Sequence, residues 1–348
     1  MDAKSSSSSV LLIADPGATE VIAERLSESF PTGPMDGALR DDLHISVRRH
    51  AYRFDEQTEF TKVVDAVDPN SATEDIVIYL TDLPRRRGTT PVVAEIDLPR
   101  RFGVISIPGL GAAFVERRVS KLARMIVAEV DRETDGPEAD GERLQRVQTD
   151  DIVHYVAPST MSRPRLLAGM VYANRPWRLV TGMSKVMMAA FATGAVSLAY
   201  PTMWQLSDTM GPWRLGVATV LATVTMIAWL IVDHKLWERP SSAADRERAV
   251  LYNTSTVITL AIGVVVFHAA VFVLLLLTAW WTIPPEMATE ELGHPVGFST
   301  LMMLAWLVAA VATLGGALGS GLEDDDAVKD AAYGARQRQR FDHRDDEE

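Results

Sequence analysis

Four long apolar runs occupy the second half of the chain, at about 186–204, 215–232, 257–283 and 298–322. A helix needs roughly 20 apolar residues to cross about 30 Å of hydrocarbon. Backbone immersed in lipid must also satisfy its own hydrogen bonds, which a helix does within one segment. The runs therefore predict an all-α transmembrane four-helix bundle over 183–322, and they set the terms for everything around it.

The charges between the runs give the bundle a direction. Arg163, Arg165, Arg175, Arg178 and Lys185 precede the first run, and Lys235, Arg239, Arg246 and Arg248 lie between the second and third. Lys329, Arg336, Arg338, Arg340 and Arg344 follow the fourth. The other two connections carry Arg214 beside Asp208, Glu286, Glu290 and Glu291. Cytoplasmic flanks collect Lys and Arg, so both termini are expected on the cytoplasmic side. Trp204, Trp213, Trp280 and Trp281 fall at the predicted outer boundary, and Trp177 and Trp237 at the inner one, where amphipathic rings suit the headgroup layer. Arg greatly outnumbers Lys, a bias of GC-rich bacterial genomes, and the expected location is a bacterial cytoplasmic membrane. No cleavable signal is expected, because Met1–Ser9 is polar and the apolar stretch Val10–Ala14 is too short.

Composition narrows the chemistry. The 348 residues carry a formal net charge of −12, a poor match to a nucleic-acid binder. There is no cysteine, which excludes disulfides, thiolate metal sites and cysteine nucleophiles.

Ahead of the bundle the sequence reads as an α/β domain over 1–132 with a mixed, mostly parallel sheet. Val10–Ala14, His44–Phe54 and Asp75–Leu80 read as strands, and the stretches ending at Phe30 and Val67 as the helices between them. The link between Val92–Ile96 and Gly103–Ile107 is so short that it permits an antiparallel hairpin but not a helical crossover. A long amphipathic helix covers about Ala112–Asp131. Residues 133–182 are expected to be a linker, acidic at Glu133–Gly141, followed by a basic juxtamembrane segment; Ser159–Gly182 fits either an interfacial helix or a plain positive flank. The charged tail at 323–348 has the composition of a disordered cytosolic segment.

The order of these elements, the turn Leu80-Thr81-Asp82-Leu83-Pro84, and Gly103-Val104-Ile105-Ser106-Ile107-Pro108 leading into a long helix resemble the archaemetzincin type of zinc peptidase. That resemblance implies a zincin-like fold, in which the final helix would carry His-Glu-x-x-His. Here the helix reads Arg117-Arg118-Val119-Ser120-Lys121-Leu122-Ala123-Arg124-Met125 and onward to Glu129 without histidine, so no metal ligand carries over and no metal or cofactor is expected. The chain is also similar to uncharacterised bacterial multi-pass membrane proteins sharing the Leu-Thr-Asp-Leu-Pro turn, a likeness that implies no activity.

Few residues point to a site. Asp15 and Asp82 follow probable parallel strands, where open α/β sheets bind ligands; turn capping is the competing role. Asp82-Leu83-Pro84-Arg85-Arg86 recurs as Asp97-Leu98-Pro99-Arg100-Arg101. Gathered at one sheet edge, Arg85, Arg86, Arg100 and Arg101 could hold a phosphate, an anionic lipid headgroup or an acidic protein partner. Gly109-Leu110-Gly111 lacks the third glycine of a dinucleotide fingerprint, with Phe114 in that place, and no Gly-x-Ser-x-Gly elbow exists. His44, His50 and His154 lack metal-ligand spacing. In the bundle, His268 is the membrane-embedded polar residue, either a functional group or an imidazole bonded to a neighbouring Ser or Thr. Ala190 with Gly194, Ala312 with Gly316, and Gly315 with Gly319 offer close helix contacts, within one bundle or between copies in a homo-oligomer. The expectation is a bilayer-embedded protein whose α/β domain is a non-catalytic binding or regulatory module. The alternatives are a small transporter or channel subunit using His268, and an enzyme acting on the α/β domain.

Overall fold

Residues of strand β1 (Ser9–Ala14) are apolar on both faces of an extended chain, so the strand is stable only at the centre of a sheet covered on two sides. A computed structural model of the chain describes residues 9–29, 44–52, 54, 58–87, 90–131, 144–158, 162–240 and 245–319. These fall into two units, one ending at Asn174 and the other beginning at Arg175.

The first unit runs β1, α1 (Ala18–Ser29), β2 (His44–Arg49), α2 (Phe60–Val67), β3 (Ile76–Thr81), β4 (Arg86–Arg87), β5 (Thr90–Asp97), β6 (Phe102–Ser106), α3 (Ile107–Leu110), α4 (Val115–Val130), β7 (Gln145–Thr149), β8 (Ile152–Val156) and α5 (Ser162–Asn174). One sheet has the order β2-β1-β3-β6-β5-β8-β7, with β4 beside β5. Strands β2, β1, β3 and β6 are parallel neighbours. The pairs β5–β6, β5–β8, β7–β8 and β4–β5 are antiparallel. The expected mixed sheet and the β5–β6 hairpin are present, but the sheet is not mostly parallel. Within its second half, β4–β5, β5–β6 and β7–β8 are hairpins whose links are too short for a helical crossover, and α3 and α4 lie between β6 and β7.

Side chains alternate between the two faces. Val10, Leu12, Ala14, Ile76, Ile78 and Leu80 pack under α1 and α4, against Ile22, Leu26, Val119, Leu122 and Ile126. Leu11, Ile13, Val77, Tyr79, Phe102 and Val104 meet Phe60, Val63, Val64 and Val67 of α2. Gly103 must lack a side chain, since a Cβ there would sit 2.8 Å from Cγ2 of Ile126 on α4.

The boundary expected at 132 is displaced. Strands β7 and β8 extend the sheet beyond β5, and α5 packs on α3 so closely that a Cβ on Gly169 would lie 2.2 Å from the Pro108 carbonyl oxygen. Leu166, Met170 and Val171 of α5 are buried. The basic segment is thus a helix of the α/β unit whose apolar side is already covered. The acidic stretch 133–141 and the tail 323–348 lie outside the described residues.

The second unit comprises α6 (Arg178–Gly182), α7 (Ser184–Ser197), α8 (Pro201–Asp233), α9 (Asp245–Thr282), α10 (Pro285–Leu292) and α11 (Phe298–Gly319). Helix α11 packs against α7, α8 and α9. Three helices are long and apolar enough to cross a membrane: 201–233, 246–282 and 298–316. A further span arises only if Ser162–Gly182 and Ser184–Ser197, bent by 50°, count as one. The run expected at 186–204 is therefore divided. Helix α7 stops at Ser197, and Pro201, which has no N–H to donate, opens α8. A second break lies inside α8, where Gly211 has φ 69° and ψ 162° and Pro212 follows.

Candidate functional site

The parallel half of the first unit creates the one position where neighbouring strands lead off in opposite directions. From β1 the chain crosses to β2 on one side, while β3 has β6 on its other side, so a crevice is expected beyond the carboxyl ends of β1 and β3. Asp15 and Asp82 are the first residues past those ends, and the fold brings them together.

Asp15 is wholly buried. Its Oδ1 accepts from the Tyr79 hydroxyl at 2.6 Å, and its Oδ2 from the Thr81 hydroxyl at 2.8 Å and the Asp82 backbone N–H at 3.2 Å. Its own N–H donates to the Leu80 carbonyl at 3.1 Å, and the Thr19 hydroxyl donates to its carbonyl at 2.5 Å. Thr81 Oγ1 in turn accepts from the Leu83 N–H at 3.2 Å. The carboxylate therefore joins the β1 turn to the β3 turn.

Aromatic packing fixes the Tyr79 donor. Tyr52 meets Tyr79 edge-on at 5.5 Å, Phe54 does so at 6.2 Å, and His50 lies 4.3 Å from Tyr52. Burial pushes the Tyr52 hydroxyl pKa above its ordinary value, partly opposed by the Arg48 charge. At the start of α1, Gly17 holds φ 116°, a backbone geometry natural to glycine. Glu20 brings its own carboxylate to this helix end, 3.5 Å from the Gly17 N–H and 3.4 Å from Arg49. A side-chain anion at a helix N-terminus satisfies the positive end of its dipole.

The four arginines are not gathered. Residues 85 and 86 precede β5 and residues 100 and 101 follow it, so about 24 Å of strand separates the pairs. Arg85 is buried: its Nε donates to Glu95 Oε2 at 2.7 Å and its Nη1 to the Thr58 carbonyl at 2.6 Å. Arg86 is half-buried and pairs through β4 with Pro91. Arg100 bonds Asp65 at 2.6 Å. Arg101, at φ 49°, reaches Asp131 at 2.6 Å and the Asp75 carbonyl at 2.9 Å.

Glu95 and His154 complete a buried charged group. They face each other across β5 and β8, with Nδ1 of His154 3.4 Å from Oε1 of Glu95, an ion-pair distance if the ring is protonated and long for a hydrogen bond. Burial pushes the Glu95 pKa up, but the neighbouring His154 ring and Arg85 guanidinium more than reverse this, leaving it below the ordinary value. A lone acid inside the run Pro91–Ile96 was the sequence signal for such a partner. Tyr79, Thr81 and Thr313 carry weaker signals, each being one hydroxyl in an apolar run.

In the second unit His268 is half-buried and its Nδ1 lies 2.9 Å from the Thr313 hydroxyl oxygen. That hydroxyl gives its single proton to the Ala309 carbonyl at 2.7 Å, so it accepts and Nδ1 donates. This is the expected imidazole-to-threonine bond between helices. The close small-residue contact also occurs within the unit: a Cβ on Gly316 would lie 3.2 Å from Val186 and 3.6 Å from Ala190, and one on Gly194 would meet Leu275 at 2.8 Å. Among the described residues no group of three His, Cys, Asp or Glu side chains could hold a metal ion. Compared with known protein families, with curated proteins and with solved structures, the chain matches none.

Proposed function

We propose that this chain is a multi-pass protein of a bacterial cytoplasmic membrane, crossing four times with both termini cytoplasmic, and that its α/β unit is a non-catalytic binding or regulatory module. Supporting the membrane part, the three long helices are apolar yet only 22%, 33% and 44% of their most apolar windows is buried inside the chain. So much outward apolar surface suits hydrocarbon. The fourth crossing is assigned to α6 and α7, the part of the bent pair that belongs to the second unit, and the direction follows the distribution of Lys and Arg.

The observation that carries the non-catalytic reading is the state of Asp15. The carboxylate at the carboxyl end of β1 takes a tyrosine hydroxyl, a threonine hydroxyl and a backbone N–H from its own chain. A base or nucleophile needs those lone pairs for a substrate proton or carbon. His268 likewise spends one ring nitrogen on Thr313. The archaemetzincin resemblance is compatible with this reading, since α4, in the place of the zinc-binding helix, carries no histidine.

The absence of native cysteine makes the topology directly testable. In intact bacteria, a membrane-impermeant maleimide should label Glu290→Cys, and should label Arg246→Cys only after permeabilisation. The reverse pattern would sink the orientation. A catalytic reading would gain instead if Asp15→Asn abolished a turnover while leaving the fold intact.

A further inference from the structure

Only three large apolar side chains of the α/β unit are exposed among the described residues: Val47 at 36%, Val147 at 38% and Phe114 at 73%. Phe114 stands apart from the other two for a second reason. It holds φ 52° and ψ 37°, the left-handed region that a bulky side chain seldom adopts, as the residue that opens α4. Together with Gly111 at φ 80° it brackets a loop, Gly111-Ala112-Ala113-Phe114, whose last three residues are all exposed. Such backbone outliers cluster at active sites, ligand clamps and switch regions, so this one marks the loop as a candidate contact surface.

The ring is set among basic residues. Arg117 places its guanidinium 6.0 Å from the Phe114 centroid. Arg117, Lys121 and Arg124 follow at helical spacing along α4, one stripe of one sign. Arg118 and Arg165 converge on Gly111, where an added Cβ would lie 3.2 Å from Arg165 Cγ and 3.9 Å from Arg118 Nη1. Each is anchored at the loop by donating to a neighbouring carbonyl, Arg118 to Leu110 at 2.5 Å and Arg165 to Gly109 at 3.0 Å. Helix α5, which supplies Arg165 and Arg163, contains no acidic residue, and Glu116 is the one acid of the loop and first turn. In a chain of net charge −12 this is a local reversal of sign.

An exposed aromatic ring in a small-residue loop, rimmed by arginine and lysine, is the chemistry of a surface that enters a headgroup layer: the ring takes the acyl boundary and the cations take lipid phosphates. We propose that the loop 111–114 with the basic stripe of α4 docks the α/β unit onto an anionic bilayer surface. The inference rests on the membrane reading above, and the same chain supplies the reach. Ten residues separate Asn174, the end of α5, from Lys185 in α7, so the docking unit is tethered to a bilayer at high effective concentration.

The test uses the full chain in nanodiscs, with a nitroxide on Ala113→Cys and Phe114 left in place. In phosphatidylcholine containing phosphatidylglycerol, the label should become accessible to oxygen and protected from a water-soluble nickel chelate. In pure phosphatidylcholine, or at high salt, it should return to water. Arg117→Gln with Lys121→Gln should lower the docked-to-undocked ratio roughly 30-fold, from about 1 kcal/mol per basic residue. Phe114→Asn should also undock the loop while leaving the fold intact, since asparagine accepts the left-handed backbone. A label that stays in water in the anionic discs would overturn the proposal. So would equal protection in both lipids, which would mean a protein contact. Failure of the chain to enter nanodiscs at all would instead remove the membrane reading on which the proposal depends.

Discussion

In the α/β unit a buried polar side chain is held by groups distant in sequence: Asp15 by Tyr79, Thr81 and Asp82, and Arg85 by Thr58 and Glu95. In the helical unit the hydroxyls turn back on their own helix, Thr193 to the Ala189 carbonyl, Thr254 to Val250, Thr256 to Tyr252, and Thr278 to Leu274. Between its helices, His268 bonds Thr313, Trp306 bonds Thr219 and Gln205 bonds Glu291. The difference follows from the solvent each unit is suited to. A sheet unit in water can use long-range polar bonds to specify its turns, because the hydrophobic core supplies the cohesion. A helix in lipid must be satisfied before it meets its neighbours, and close packing then does the joining.

If that contrast holds, polar substitutions should act most strongly in the α/β unit. Glu95→Ala leaves the buried Arg85 guanidinium without its carboxylate and should cost about 3–5 kcal/mol, read by chemical denaturation of the full chain in detergent. The same group gives a pH signature. Because its folded pKa is lowered, its stabilisation is present above the ordinary glutamate range and is lost as pH falls through the folded value. A denaturation midpoint that is flat at acid pH in wild type, or unmoved by the substitution, would break this side of the contrast. Asp15→Ala should follow, at about 3 kcal/mol, since two hydroxyls and one N–H lose their shared acceptor.

In the helical unit shape should matter more than polarity. A Cβ at Gly263 would lie 2.5 Å from Leu179 and 3.1 Å from the Pro176 carbonyl oxygen, whereas nothing lies within 4 Å of one at Gly315. Gly263→Val should therefore destabilise by about 1–3 kcal/mol, and Gly315→Ala should be close to neutral in the monomer. A change of oligomeric state in Gly315→Ala, seen by light scattering, would identify that open face as a contact between copies. His268→Ala should cost only about 0.6–1.7 kcal/mol, the range for a hydrogen bond between membrane helices. Loss of a transport activity without loss of stability would contradict the packing role.

The smallest effect belongs to the connection between α10 and α11, where His294 Nε2 lies 3.0 Å from Asp208 of α8 and Nδ1 3.2 Å from the Pro295 carbonyl. The hydrogen bond that the ring donates to the Asp208 carboxylate, and then the one to the Pro295 carbonyl, hold the His294 pKa above its ordinary value. Its contribution is complete below the ordinary histidine pKa and is lost as pH rises through the raised one. An NMR titration of the His294 ring should show the raised midpoint, and Asp208→Asn should lower it.

How much of this was legible in the sequence depends on whether a residue's partner lies nearby or far away. Strands β1 and β3 were plain because the five-residue apolar runs Val10–Ala14 and Ile76–Leu80 are too short for helices and have the length of buried strands. Strand β7, Gln-Arg-Val-Gln-Thr, is exposed throughout, and an edge strand that buries nothing has no hydrophobic pattern to read. Its hairpin turns through Asp150, at φ 52°, and Asp151, residues that look like the end of an acidic linker. The repeated Asp-Leu-Pro-Arg-Arg was visible, but its two copies lie at opposite ends of one strand, a fact of topology. Trp204 was expected in the headgroup layer. It is buried within the helical unit, with its indole N–H donating to the Leu198 carbonyl at 2.8 Å across the break before Pro201. Trp177, Trp213, Trp237, Trp280 and Trp281 are exposed.

The central claim is that the outward apolar faces of the helical unit meet lipid, and α8 tests it within one helix. Single cysteines at Val220 and Val224, both about 60% exposed, can be compared with Leu230, which is buried, and with Val147 on β7 as the aqueous standard. In nanodiscs, labels at Val220 and Val224 should be quenched by nitroxide-bearing acyl chains, and those cysteines should resist a water-soluble maleimide that modifies Val147→Cys rapidly. Modification of Val220→Cys and Val224→Cys as fast as Val147→Cys would contradict the claim.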